Sequence, residues 1–255
     1  MREVTLAGHR VSLYTSIEEL PMARFHKYNK YLLVDAGIGS DMQAVDGHIS
    51  RVVQYIKDGK REEAGRELEN LRQNFYMIMS ETNPRQMSFA CLVKELDGEV
   101  CDDLSDEGLQ RVCAKLSDIP VNEVTAEHEA VKKKIEDELR VYFPALFDDV
   151  RTKEFYDLVK QRANEMLDAI IKGEDREQRI EILTGKLLTY SKPLDFGSGA
   201  GNAEVEYDRR YEDMCLLISQ NLHTDAKKFT TMEFYNAYNY IEKQQKREKR
   251  QNKAR

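Results

Sequence analysis

The chain has no tryptophan, only 5 prolines and 13 glycines in 255 residues. So little backbone punctuation argues against collagen-like, low-complexity and loop-rich architectures, and it favours a helical, charged protein long enough to bury a core. Long apolar runs are missing too. The longest, Phe75 to Met79, Phe89 to Val93 and Met214 to Ile218, stop at five residues, against the roughly 20 that cross a bilayer. No membrane span is expected. The opening residues, Met-Arg-Glu-Val-Thr-Leu-Ala-Gly, hold no apolar stretch of a secretory signal, and the expected compartment is the cytoplasm.

Cysteines are few and far apart. Cys91, Cys101, Cys113 and Cys215 lack the Cys-x2-Cys spacing of a zinc site, and reduced thiols packed as small apolar residues are expected. Histidines do not pair with carboxylates at ligand spacing either. Three residues before His9, His26, His48, His128 and His223 stand Leu6, Ala23, Val45, Thr125 and Gln220, so the Glu-x-x-His pattern of di-iron bundles is absent. His128-Glu129 lacks the second histidine of a zinc protease motif, since Ala130, Val131 and Lys132 follow it.

Other catalytic signatures fail on inspection. Gly197 to Asn202 has a glycine-rich look, but it follows Lys192-Pro193-Leu194-Asp195-Phe196 rather than a clear strand and ends in Asn202 where a dinucleotide fingerprint needs glycine. Gly185-Lys186 has Ile180 where a phosphate loop needs its first glycine, and no Gly-x-Ser-x-Gly occurs. The pairs Asp102-Asp103 and Asp148-Asp149 read as solvated faces in a chain with 46 acidic residues. No enzyme activity, cofactor or metal is expected.

Charge is present but uneven. Residues 241–255 hold seven cations against two carboxylates, a net +5 in a chain of −7, which leaves −12 for the rest. The body should repel nucleic acid. The tail is either a solvated helix end whose cations suit the dipole, or a grip for an acidic partner, nucleic acid included. Without interleaved aromatics it has no base-stacking platform.

The hydrophobic pattern predicts an all-α, multi-helix bundle with a short N-terminal β-hairpin or extended arm over residues 4–14. Ser16-Ile17-Glu18-Glu19 has capping-box spacing, so a first helix should run from there to about Asp35, ended by Gly37-Ile38-Gly39. Ser40 should cap a second, which Gly59 stops. In the third, Ala64, Leu68, Leu71, Phe75 and Ile78 step by four and three, a stripe suited to a helix–helix seam. Asn83-Pro84 breaks it. Residues 86–96 and 105–117 read as an antiparallel helical pair divided by Asp97-Gly98. The stripe from Val131 to Tyr142 continues through Phe155, Leu158, Val159, Met166 and Ile170, so one long helix bent at Pro144 is expected, and a further short helix over 174–190.

Three regions follow: a helical body over 1–190, a Gly-rich linker over 191–202, and a C-terminal helical hairpin with a basic tail over 203–255. Thr230-Thr231-Met232-Glu233 repeats the capping-box spacing before the last helix. Phe229, Phe234, Tyr235, Tyr238 and Tyr240 crowd that helix. Some should enter the core, while the helix can also dock a helical partner through aromatic anchors and a basic rim. The candidate partner-binding residues are Phe234, Tyr235, Tyr238, Ile241, Lys243, Lys246, Arg247, Lys249 and Arg250.

The blocks Asn221-Leu222-His223, Lys228 to Tyr235 and Tyr240-Ile241-Glu242 with the basic end resemble the helical ending of tail assembly chaperones of long-tailed bacteriophages. Ser16 to Pro21, Lys27 to Lys30 and Glu67 to Leu71 are similar to phage structural-region proteins. The resemblance implies a non-enzymatic, helical protein of the host cytoplasm, with association with the virion left open, that coats a long helical structural protein such as the tape measure before tail-tube polymerisation. The alternative is a nucleic-acid-associated adaptor of a phage or mobile element, acting through residues 241–255.

Overall fold

The computed structural model describes residues 1–147, 150–190, 192–197 and 201–253. The chain begins with β1 (Arg2–Leu6) and β2 (His9–Leu13), an antiparallel hairpin with Leu6 paired to His9. Its turn residues Ala7 and Gly8 both have positive φ, 45° and 96°, the backbone hand that matches the twist of the strands.

This hairpin does not stand alone. Helix α4 (Pro84–Leu92) ends four residues short of the expected helix over 86–96, and the chain continues as β3 (Val93–Leu96) and β4 (Glu99–Val100). The Asp97-Gly98 between them is a second positive-φ turn, at 52° and 85°. It joins strands rather than helices. The four strands form one sheet in the order β1-β2-β3-β4.

A buried cation marks the switch from helix to strand. Arg24, 3 % exposed, donates to the carbonyls of Val93 at 2.9 Å and Cys91 at 3.3 Å, and also to that of Cys101. Its guanidinium lies over the Tyr14 ring and 3.2 Å from Asp102. It thus gathers carbonyls that a continuing helix would have bonded internally.

Ten α-helices are present among the described residues: besides α4, α1 (Met22–Gly37), α2 (Met42–Lys57), α3 (Arg61–Met79), α5 (Asp106–Lys115), α6 (Val121–Tyr142), α7 (Val150–Lys172), α8 (Glu177–Tyr190), α9 (Ala203–Leu222) and α10 (Thr231–Lys253). The caps correct two expectations. Ser16 to Glu19 is a turn, in which the Glu19 amide donates to the Ser16 carbonyl and the Glu19 carboxylate pairs with the amino terminus; α1 begins only after Pro21. Asp41, not Ser40, caps α2, accepting from the Ala44 amide at 2.7 Å. The second capping box does form. Thr230 Oγ1 accepts from the Glu233 amide at 3.3 Å, and Glu233 Oε2 accepts from the Thr230 amide at 2.9 Å.

The long bent helix is two helices, α6 and α7, with a 3₁₀ turn at Pro144–Leu146 between them. Asp148 and Asp149 lie outside the described residues. The main core joins Leu13, Phe25, Tyr28, Phe89, Ile135 and Phe143 to Ile218, Phe234 and Ile241. The C-terminal hairpin therefore shares the core of the body. Backbone bonds reinforce this, with the Met22 amide on the Phe229 carbonyl and the Thr231 amide on the Leu20 carbonyl, each 2.8 Å.

The expected linker does not separate two cores. Phe196, 5 % exposed, packs with Val34 and Ile38, and its ring fills the space where a Cβ on Gly37 would stand. The Leu194 carbonyl accepts from Asn70 Nδ2 at 2.8 Å. Residues 191 and 198–200 lie outside the described set. Among the described residues no helix is long and apolar enough to cross a membrane.

Candidate partner-binding surfaces

The apolar stripe of α3 is only partly buried: Ala64 is inside, Leu71 and Ile78 are half-buried, and Leu68 and Phe75 face solvent. The buried residues of the helix are Ala64, Glu67, Asn70 and Asn74, while Leu68 is 51 % and Phe75 45 % exposed. The reason lies in its neighbours. His48 on α2 sets Nδ1 2.7 Å from Glu67 Oε1 and donates Nε2–H to the Ile38 carbonyl at 2.8 Å. Arg51 also reaches Glu67, and Asn74 Nδ2 donates to the same Ile38 carbonyl at 2.9 Å. A carbonyl freed where α1 ends, together with a buried histidine, calls for polar partners, and α3 supplies them. Met79 and Tyr76 on α3, and Met42, Ile49 and Ile56 on α2, are left exposed as well.

α7 has an open seam. Tyr156, Val159, Ala163, Met166 and Ile170 step by three, four, three and four, the spacing of a coiled-coil face, and every one of them is exposed. Over the 23 residues of α7 the helix is about 34 Å long. Phe155 and Leu158, on another side, are half-buried. The seam was readable in the sequence as a heptad, but the expected stripe mixed its members with Phe155 and Leu158. The paired helix α8 contributes Leu188 to a small cluster with Tyr55 and Ala64.

The aromatic end helix offers less than expected. Phe234 is fully buried and Ile241 3 % exposed, so neither is available as a docking anchor. Tyr235 is half-buried among Phe25, Phe143 and Phe234, and Tyr238 packs against the same core. The physical reason is that α10 closes the core against α1 and α9 and uses its aromatics there. Tyr240, 55 % exposed, remains outside, as do Lys243, Lys246 and Arg247, with Lys246 paired to Glu242 at 2.8 Å. The side chains of Lys249 and Arg250 lie outside the described residues.

Titratable groups are mostly structural. His26 is stacked between Tyr207 and Tyr211, with ring centroids at 4.7 and 4.0 Å, and meets Asp208 at 2.9 Å; burial pushes its pKa down, against the pull of Asp208. Hydrogen bonds to Asp97, then Asp118, push His9 up. The cysteines are free thiols, and burial raises Cys91 to about 12 and Cys113 to about 11, far from thiolate chemistry at neutral pH.

One cleft of about 570 Å³ opens between α1, α4, α5 and α6, and His128 lines it. Among the described residues no group of three or more His, Cys, Asp or Glu side chains is arranged to hold a metal ion. No family model, no curated protein and no solved structure matches the chain.

Proposed function

We propose that the protein is a non-enzymatic assembly chaperone of a bacteriophage tail, which holds a helical stretch of a long structural protein such as the tape measure. The observation that supports this reading is the open seam of α7. A heptad face left in solvent suits a second helix bearing its own apolar face, because knobs from one helix need holes from another. α2 and α3 also carry exposed apolar side chains. In this reading the protein works in the host cytoplasm, and association with the virion depends on whether it leaves before the tail is complete.

The test is capture from lysate of the native source, before and after nuclease treatment, comparing the wild type with a Tyr156→Glu, Ile170→Glu variant and with a Lys243→Glu, Lys246→Glu, Arg247→Glu variant. Retention of a long heptad-bearing protein that the seam variant loses supports the chaperone. If instead only nucleic acid comes down before nuclease treatment, and only with the three cations intact, the protein is a nucleic-acid adaptor and the chaperone reading fails.

A further inference from the structure

The cleft beside His128 has the chemistry of a ligand site, and its protons can be assigned from the hydrogen bonds. Ser88 is fully buried and donates its hydroxyl proton to the Arg85 carbonyl at 2.8 Å. With that proton committed, Ser88 Oγ can only accept from His128 Nε2, 3.3 Å away. Nε2 therefore carries the ring proton, and Nδ1 is a bare acceptor. His128 is 6 % exposed, with Phe89 and Tyr28 edge-on to its ring at 5.9 Å. Burial lowers its pKa, which keeps the ring neutral at pH 7. Nδ1 has no hydrogen-bond partner among the described residues, yet it is absent from the polar atoms sealed away from solvent. Solvent therefore reaches Nδ1 from the cleft that His128 lines, and a ligand donor that takes the place of water there gains a directed hydrogen bond.

The rest of the lining defines what carries that donor. Phe89, Leu116, Ile119 and Val124 supply apolar walls, and Asn83, Gln86, Ser117 and Thr125 place neutral polar groups among them. The ionised residues around them are three carboxylates and two cations, and the Arg85–Asp35 pair, at 2.8 Å, is already neutralised. A site so nearly balanced does not select an ion. Its volume falls within the 300–1,000 Å³ of small-molecule pockets.

We propose that this cleft binds a neutral aromatic small molecule through a single ring N–H or O–H donated to His128 Nδ1. The site is independent of the α7 seam and of any assembly role.

Indole and N-methylindole are the probes, differing by that one donor. The chain has no tryptophan, so indole fluorescence excited beyond tyrosine absorption reports the ligand alone. Indole is expected to bind saturably and N-methylindole at least about fivefold more weakly, since a buried acceptor is then left unpaired. In His128→Phe the two probes should bind alike. Nitrogen NMR of the wild type gives a second readout that does not depend on the variant folding: the His128 Nδ1 resonance should shift with indole and stay in place with N-methylindole. Equal binding of the two probes to the wild type, no saturable binding of either, discrimination that persists in His128→Phe, or an Nδ1 resonance indifferent to indole would overturn the proposal.

Discussion

Replacing Glu67 by alanine should damage the fold more than placing a charge on the apolar stripe of the same helix. Glu67 is 2 % exposed and holds both His48 and Arg51. Removing one member of a buried ionic group typically costs about 3–5 kcal/mol, because the others stay buried without a partner. Arg51 is 39 % exposed and can turn to water, which places the loss near the lower end, about 3 kcal/mol. Leu68 and Phe75 are 51 % and 45 % exposed, so each keeps only about half of the 1.5–3 kcal/mol of a fully buried side chain. Leu68→Glu or Phe75→Glu alone should therefore cost about 1 kcal/mol. Urea unfolding followed by circular dichroism separates the cases: with a slope of about 3 kcal/mol/M, Glu67→Ala lowers the midpoint by about 1 M and each stripe variant by about a third of that. A Phe75→Glu loss larger than that of Glu67→Ala would refute the packing described for α3 and restore the outer stripe as its buried face.

Three further outcomes follow from the same contacts. Asp97→Asn should lower the midpoint of the His9 NMR titration and lessen, with Asp118 still in place, the stability that the wild type loses above pH 6.5, because a histidine held above its ordinary 6.5 stabilises fully below that value and loses the contribution as pH rises through its folded pKa; an unchanged His9 midpoint would mean that Asp97 is not its main partner. His26 and His128, pushed down by burial, act in the opposite sense, contributing fully above 6.5 and less as pH falls through their folded values, so the acid-side loss of stability should survive in Asp97→Asn. Thr230→Ala should cost about 1 kcal/mol of stability in denaturant melts through loss of the capping box, and a neutral result would remove that box from the account of how α10 starts. Phe234→Ala should cost about 3–5 kcal/mol, the loss of a large core aromatic, while Tyr240→Ala leaves the melting temperature almost unchanged.

Helix positions were legible where glycine, proline and caps punctuate the chain. Gly37, Gly59, Asn83-Pro84 and the Thr230 box all lie at real helix ends. The second hairpin was less legible, although Asp97-Gly98 is a strong turn signal. Phe89, Val93 and Leu96 fit a helical period as well as a strand, and only the free edge of β2, together with Arg24 waiting for carbonyls from residues 91, 93 and 101, decides for the strand. Those partners are remote in sequence. Short apolar runs therefore stay ambiguous until tertiary pairing settles them.

The surfaces failed to show themselves for a related reason. Periodicity says that apolar residues share a face, but not whether that face is the inner one. For α3 the neighbouring side is polar, made by His48 and the Ile38 carbonyl, so Glu67 and Asn74 turn inward and Leu68 and Phe75 of the apolar stripe are left outside. For α10 the neighbouring side is apolar, and aromatics that looked like docking anchors are consumed by the core. An apolar stripe becomes a binding surface only when the fold has nothing apolar to set against it. By that criterion the heptad face of α7, which keeps Tyr156 64 % and Ile170 77 % exposed, offers a helical partner more than the end helix does. The first contacts to test are thus on α7.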